Sequence, residues 1–296
     1  MAIKEGPLGE TLLKAFDGMS AQLQNAARFI LDRPCDVALL SMREQARQAG
    51  VQPATMTRLA KHLGLGGFDE IRNMYAEAVR DAGARLPGMA GKQVANRKQK
   101  DDHALAAEML KSVTWHIAQL AKAPSLDRVV SAAASLAKAR KIYCLGLRSS
   151  HTVAWHFQYL ISMVCDKSVS LDCAAGIGGD GLKNSCEEDV LLVVSVHPYT
   201  RATFELAYYA KSIGVAVIAI TDSEVSPLAR IAKTAVVVPT NSPSLFHTMT
   251  PAFAIAEVLG FLVAAGGGDK VLEPIERFNK QLAALNTHLK RIRRNQ

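Results

Sequence analysis

Five short apolar runs most constrain how this chain can fold. They are Lys141–Gly146, Ser168–Leu171, Val190–Val196, Val215–Thr221 and Thr234–Pro239. Four of them do not alternate apolar with polar residues, Ser168–Leu171 being the exception, and a strand without alternation buries both faces. Helical patterns separate most of them, and strands joined through helices pair in parallel. The expectation is a five-stranded parallel sheet covered by helices on both faces, a three-layer α/β domain.

Residues 10–80 contain no such run and read as all helix. Leu12–Met19 forms one short helix. Ser20 is placed to cap a second, with Leu23, Ala26, Ala27 and Ile30 at helical spacing, and Pro34 to end it. Ser41 and Glu44 have the S-x-x-E spacing of a capping box, which starts a helix at Met42. Gly50 permits the positive φ that ends this helix, Val51 plugs the corner, and Pro53 suits the first turn of the next. In that next helix Met56, Leu59, Ala60 and Leu63 share an inward face.

Its other face carries Thr57, Arg58 and Lys61, with Gln52 and Thr55 at the N-terminal end. This is the layout of a helix-turn-helix reader, whose second helix brings its first turns to base edges and phosphates. A helical hairpin with a solvated outer face has the same pattern. Gln52, Thr55, Thr57, Arg58 and Lys61 are therefore candidate contacts to double-stranded DNA.

Charge sharpens this expectation. The net charge is +8, yet residues 1–80 carry only +1 and residues 270–296 carry +5. DNA affinity must then come from local placement of Arg and Lys rather than from a bulk positive field.

The expected organisation is a helical domain over 1–82, a linker over 83–102, an α/β domain over 103–269 and a C-terminal helix over 270–296. The linker is marked by Gly83, Pro87, Gly88 and Gly91 and a polar run from Arg97 to Asp102. In the last segment Val271, Ile275, Phe278, Leu282, Leu285, Leu289 and Ile292 form a heptad seam. It can pack on its own sheet domain or on a second copy. Five scattered cysteines lack metal-ligand or redox spacing, so no metal or cofactor is expected and a reducing cytoplasm fits. The N-terminus lacks an apolar signal segment, and no apolar run is long enough to span a membrane.

The stretch Ala46-x4-Val51-x-Pro53-Ala-Thr55-x-Thr57-Arg58-Leu59, followed by Leu63-Gly64-Leu-x-Gly67-Phe68-x-Glu70-Ile-Arg72, resembles the N-terminal domain of RpiR-type (MurR/RpiR) bacterial transcriptional regulators. The resemblance covers nearly the whole chain. It implies an all-α helix-turn-helix domain followed by a sugar isomerase (SIS) domain that senses phosphosugars or related metabolites. It also implies operator DNA as partner, a homodimer or tetramer, and no catalytic residue. A dimer accords with the half-site that one helix-turn-helix reads.

The same resemblance points to two ligand loops. The first is Gly146-Leu-Arg148-Ser149-Ser150-His151-Thr-Val-Ala154. Gly146, Ser150 and Ala154 match the family's G-x-G-x-S-x3-A, but Arg148 stands at the second glycine. The second is Ser195-Val-His197-Pro198-Tyr199-Thr200-Arg201, where His197 and Pro198 replace a serine and a glycine of S-x-S-G-x-T. Arg148, Ser149, Ser150, Ser195, His197, Thr200 and Arg201 are the candidate ligand contacts.

Arg148, His197 and Arg201 can compensate for lost backbone donors, which keeps the ligand anionic, a sugar phosphate or a sugar acid. The loops can equally have lost ligand binding and left a fold that only dimerises. A third loop holds Ser244, placed to cap the helix that follows, and His247, read as a structural histidine. A sugar-phosphate isomerase with a helical extension is the enzymatic alternative. Glu257 is its candidate acid/base, and the more ordinary role for that residue is a structural salt bridge.

Overall fold

The computed structural model describes residues 7–81, 101–173, 178–244 and 246–289. The chain divides into two compact units, residues 1–109 with 241–246, and residues 110–240 with 247–296. Most of the expected linker, 83–100, and Ile292 of the seam lie outside the described residues.

The N-terminal unit is helical. It contains α1 (Pro7–Ala15), α2 (Ala21–Asp32), α3 (Pro34–Leu39), α4 (Met42–Gln48), α5 (Pro53–His62) and α6 (Phe68–Asp81). The first helix starts earlier than Leu12, and a 3-10 turn over Phe16–Gly18 follows it. Ser20 occupies the N-cap of α2 but makes no capping bond. Pro34 opens α3 at its first turn, where a missing N–H costs nothing. Leu12, Ile30, Met56, Leu59 and Ile71 are fully buried and bring helices from across the unit into one core. Burying each such side chain contributes about 1.5–3 kcal/mol. Gln45 is also fully buried; its amide donates to the carbonyls of Val37 and Leu40 at 3.0 and 2.9 Å and pins α3 to α4.

Helix α7 (Asp102–Leu120) begins one residue before the expected domain start, and α8 (Ala123–Lys138) leads into the sheet. The remaining elements are β1 (Ile142–Gly146), α9 (Ser149–Val164), β2 (Ser168–Leu171), β3 (Val190–Val194), α10 (Arg201–Ser212), β4 (Ala216–Thr221), α11 (Pro227–Ile231), β5 (Thr234–Val237), α12 (Thr250–Gly266) and α13 (Leu272–Ala284). All five strands are parallel, in the order β2-β1-β3-β4-β5.

Successive strand residues feed two different cores. Ile142, Cys144, Leu192, Val194 and Ile218 pack under α8, α9 and α12. Tyr143, Leu145, Leu191, Val193 and Val217 pack under α10 and α11. Both faces of the inner strands are apolar because both are covered, whereas the edge strand β2 alternates serine with apolar residues and is only partly buried.

Asp189 ties the start of the sheet together. It is fully buried, accepts from Arg140 Nη2 at 2.7 Å, and takes the amides of Lys141 and Cys186 at 3.1 and 3.0 Å. Lys167 closes the end of α8 by donating to the carbonyls of Leu136 and Ala137 at 2.9 and 2.8 Å.

The C-terminal seam splits in two. Phe278 meets Tyr159 of α9 edge-on at 6.5 Å between ring centroids, so this part packs on its own domain. Leu285 and Leu289 are exposed. Ser244 does not cap α12, whose N-cap is Met249; its hydroxyl accepts from the Phe246 amide in a local turn. Among the described residues no single helix is long and apolar enough to cross a membrane.

Candidate functional site

Each unit presents one candidate site. On the N-terminal unit it is the α4–α5 corner. Ser41 Oγ accepts from the Glu44 amide at 3.3 Å, which is half of the expected capping box. The other half does not form, because the Glu44 carboxylate turns to Arg47 and Gln48 instead. Accepting those bonds holds the Glu44 carboxyl at about 2, below its ordinary 4.5. Gly50 takes φ +65°, and the Val51 amide reaches back to the Ala46 carbonyl at 2.9 Å. That bond closes α4 by the pattern usual where a left-handed residue ends a helix.

The outer face of α5 exposes Gln52, Arg58 and Lys61, and half-exposes Thr57. Thr55 departs from the expectation. It is 1% exposed, and its Oγ1 accepts from Arg58 Nη2 at 3.2 Å. The α5 helix packs against α2, and Thr55 at its N-terminal end lies beneath the face rather than on it. Thr55 steadies Arg58 rather than offering a contact of its own. A depression of about 390 Å³ runs along the corner, lined by Gln22, Arg47, Gly50, Val51, Gln52, Thr55 and Arg58. Gln22 and Arg47 join it from α2 and α4, which the pattern of α5 alone could not reveal.

The second site lies at the carboxyl ends of β1 and β3. Gly146 of β1 pairs in register with Val194 of β3, so the loops after them leave the sheet side by side. The chain places β2 on one side of β1 and β3 on the other. The crevice between β1 and β3 is therefore the point where strand order reverses, the usual ligand position in open α/β sheets.

Gly146 is required there. A Cβ on it would lie 2.4 Å from the Ser150 carbonyl oxygen and 3.0 Å from Ala154 Cβ. The matching residues of the first loop are thus one close approach of strand to helix. Arg148 holds φ +57°, ψ −130°, a region that favours glycine and costs other residues about 1–3 kcal/mol. The backbone keeps the glycine conformation although the side chain has changed.

The cleft has a volume of about 280 Å³. Arg148, Ser149, Ser150, Ser195 and Thr200 line it as expected, together with Leu147, Val196, Pro198 and His247. His247 is the residue that sequence reasoning set aside. Its Nε2 lies 3.2 Å from Ser149 Oγ, across a separation of 98 residues.

Two expected ligand contacts are not among the lining residues. His197 is exposed, with its ring edge-on to Tyr199, and its backbone amide donates to Asp222 Oδ2 at 3.1 Å. The Arg201 side chain is 91% exposed and pairs with Glu205 one helical turn on, at 2.6 Å. That ion pair raises the Arg201 pKa. Glu257 is 65% exposed and approaches His156 at 3.5 Å, and it does not line the cleft. No carboxylate is among the described lining residues.

Residues 135–261, which hold the five-stranded parallel sheet and the strand-end cleft, match the SIS domain family. The chain is a SIS-domain protein related to the RpiR- and HexR-type helix-turn-helix regulators, with an N-terminal helical region.

It is 25% identical over 230 residues to the HTH-type transcriptional regulator HexR of Pseudomonas aeruginosa, a match that spans 75% of each chain. It is 24% identical over 266 residues to the HTH-type regulator TTE0211 of Caldanaerobacter subterraneus, spanning 87% of this chain and 90% of that one. The sugar isomerase domain of an RpiR transcription factor from Sphaerobacter thermophilus shares the fold of 60% of this chain, over 98% of its own length, at 22% identity and a TM-score of 0.55. The NanR protein of Vibrio vulnificus, solved with ManNAc-6P, covers 93% of this chain and 98% of its own at 18% identity and a TM-score of 0.54.

Proposed function

We propose that this protein is a DNA-binding transcriptional regulator and not an enzyme. Residues 1–82 read the operator, and residues 103–269 bind a sugar phosphate or a sugar-derived acid that changes operator affinity. The observation that carries the reading is the α4–α5 corner, whose exposed face gathers Gln52, Arg58 and Lys61 beside the Arg47 edge of one depression. Arg58 suits a guanine edge or a phosphate, and Lys61 suits a phosphate.

The names of the relatives support the same reading, and the ManNAc-6P bound to NanR supports an anionic sugar derivative as effector. Coupling requires that the effector bind the DNA-competent and DNA-incompetent states with different affinity. A cytoplasmic homodimer fits a protein that reads a two-fold operator. On the SIS unit Trp155, stacked on Tyr159 at 5.6 Å, and Phe261 are exposed aromatics of the kind that such contacts cover.

The test is operator binding by fluorescence anisotropy, on the DNA flanking the protein's own gene. Arg58→Ala is expected to weaken binding about 10- to 100-fold, the value of one base or phosphate contact, without lowering the thermal midpoint. Unchanged affinity refutes the assigned face. Turnover of a phosphosugar panel by the purified protein would instead establish the isomerase alternative.

A further inference from the structure

Several backbone donors around the strand-end cleft are already bonded. Main-chain amides commonly cradle a phosphate at such a site. Here the amides of Ser150 and His151 are taken by the carbonyls of Leu147 and Arg148 at 3.2 and 3.1 Å. Across the cleft the His197 amide is taken by Asp222, and Pro198 has no amide hydrogen to offer. The first turn of α10, behind Thr200, favours any anion and so does not discriminate between kinds.

Side chains supply the remainder. Ser150 and Ser195 are each 4% exposed and line the cleft, and their hydroxyls have no hydrogen-bond partner among the described residues. Neither oxygen is among the fully buried unpartnered atoms of the described residues, so both open on the cleft and can bond a group that enters it. Arg148 stands beside them, exposed and without an ion pair among the described residues. It occupies a left-handed backbone position that a glycine would fill with less strain.

We infer that the cleft takes a carboxylic acid of monosaccharide size or smaller, its carboxylate held by the Arg148 guanidinium and the Ser150 and Ser195 hydroxyls, rather than a phosphate ester. This rests on reading the cleft as the effector site and narrows the chemistry of the ligand. A carboxylate offers two coplanar oxygens and one charge, which the flat guanidinium fork meets with two parallel bonds. A phosphate ester brings three acceptor oxygens and nearly two charges. Against these the lining residues hold one permanent cation, Arg148. A volume of about 280 Å³ lies at the small end for ligand sites and suits a single sugar skeleton. His247, bonded to Ser149, offers the ligand a second polar group at the rim.

The test is a thermal-shift and calorimetric comparison on the full chain at constant ionic strength. The probes are aldonic and uronic acids (gluconate, glucuronate, galacturonate) against glucose 6-phosphate, fructose 6-phosphate and inorganic phosphate. The expected result is an upward shift with an acid and at least about tenfold tighter binding than by any phosphate, the value of one charge-assisted pair. Arg148→Gly suits the backbone at this position, so it is expected to fold with an equal or higher midpoint and to lose the acid-induced shift. Ser195→Ala is expected to weaken the acid and keep the midpoint. A phosphate ester that binds tighter than every acid overturns the carboxylate assignment and leaves the effector site standing. Absence of any shift from both classes overturns the effector reading itself.

Discussion

At the α4–α5 corner most of the groups facing solvent come from one stretch, Arg47 to Lys61, with Gln22 the one outside contribution. The strand-end cleft draws instead on three loops, after β1, after β3 and before α12, with His247 brought to Ser149 across 98 residues. The corner is an open depression built on local hydrogen bonds. The cleft is concave, and its floor is the same close packing that holds strand to helix. A side chain on the corner can therefore change binding without changing the fold. Beside the cleft, Gly146 lets strand approach helix and so sets the loop that carries the lining residues.

The strongest way to break this contrast is Gly146→Ala. The added Cβ would meet the Ser150 carbonyl at 2.4 Å, so α9 must shift. Overpacking of this kind costs about 1–3 kcal/mol, and here the obstacle is backbone. Chemical denaturation is expected to show a loss at the upper end of that range. A stability equal to the parent's would mean that the loop can yield and the cleft is not rigid.

At the corner the expected effects are smaller and separable. Ser41→Ala removes the bond to the Glu44 amide and should cost about 1 kcal/mol of stability by denaturant unfolding. A loss of several kcal/mol would show that the corner too depends on distant packing. Thr55→Val sharpens the point further. It removes the acceptor for Arg58 while keeping the buried shape, so a few-fold loss of DNA affinity is expected, less than for Arg58→Ala. An equal loss would return Thr55 to direct contact.

Acid has the smallest effect. Glu44 titrates near 4.5 in the unfolded chain and at about 2 in the fold, so its stabilising share is complete above pH 4.5 and disappears as pH falls toward 2. A Glu44 carboxyl resonance that titrates at its ordinary value would dissolve the Arg47 and Gln48 pairing.

Much of the fold was legible in the chain. The five runs match the strands to within a residue or two at each end, and for the inner strands burial on both faces leaves an unbroken apolar signature. The corner was legible for the same local reason, since capping, positive φ and helical phase are read from neighbours. Thr55 was expected at the contact end of α5 from its place in one helix, while its burial depends on the helices packed around that one. Arg201 was expected in the ligand site for its charge, but its place on α10 gives it Glu205 as a nearer partner. His247 was set aside because nothing in its own loop signals a residue 98 positions away.

By itself, then, the sequence determined which segments are strands, where the α4–α5 corner turns, and which loops carry hydroxyls and charge. These follow from short-range sterics and from apolar periodicity. Only the tertiary structure decided strand order, and with it the reversal between β1 and β3 that creates the cleft. It also decided which hydroxyls lack partners and which amides are already bonded. Those depend on what distant segments bring alongside, and pairing between strands leaves no mark within either one.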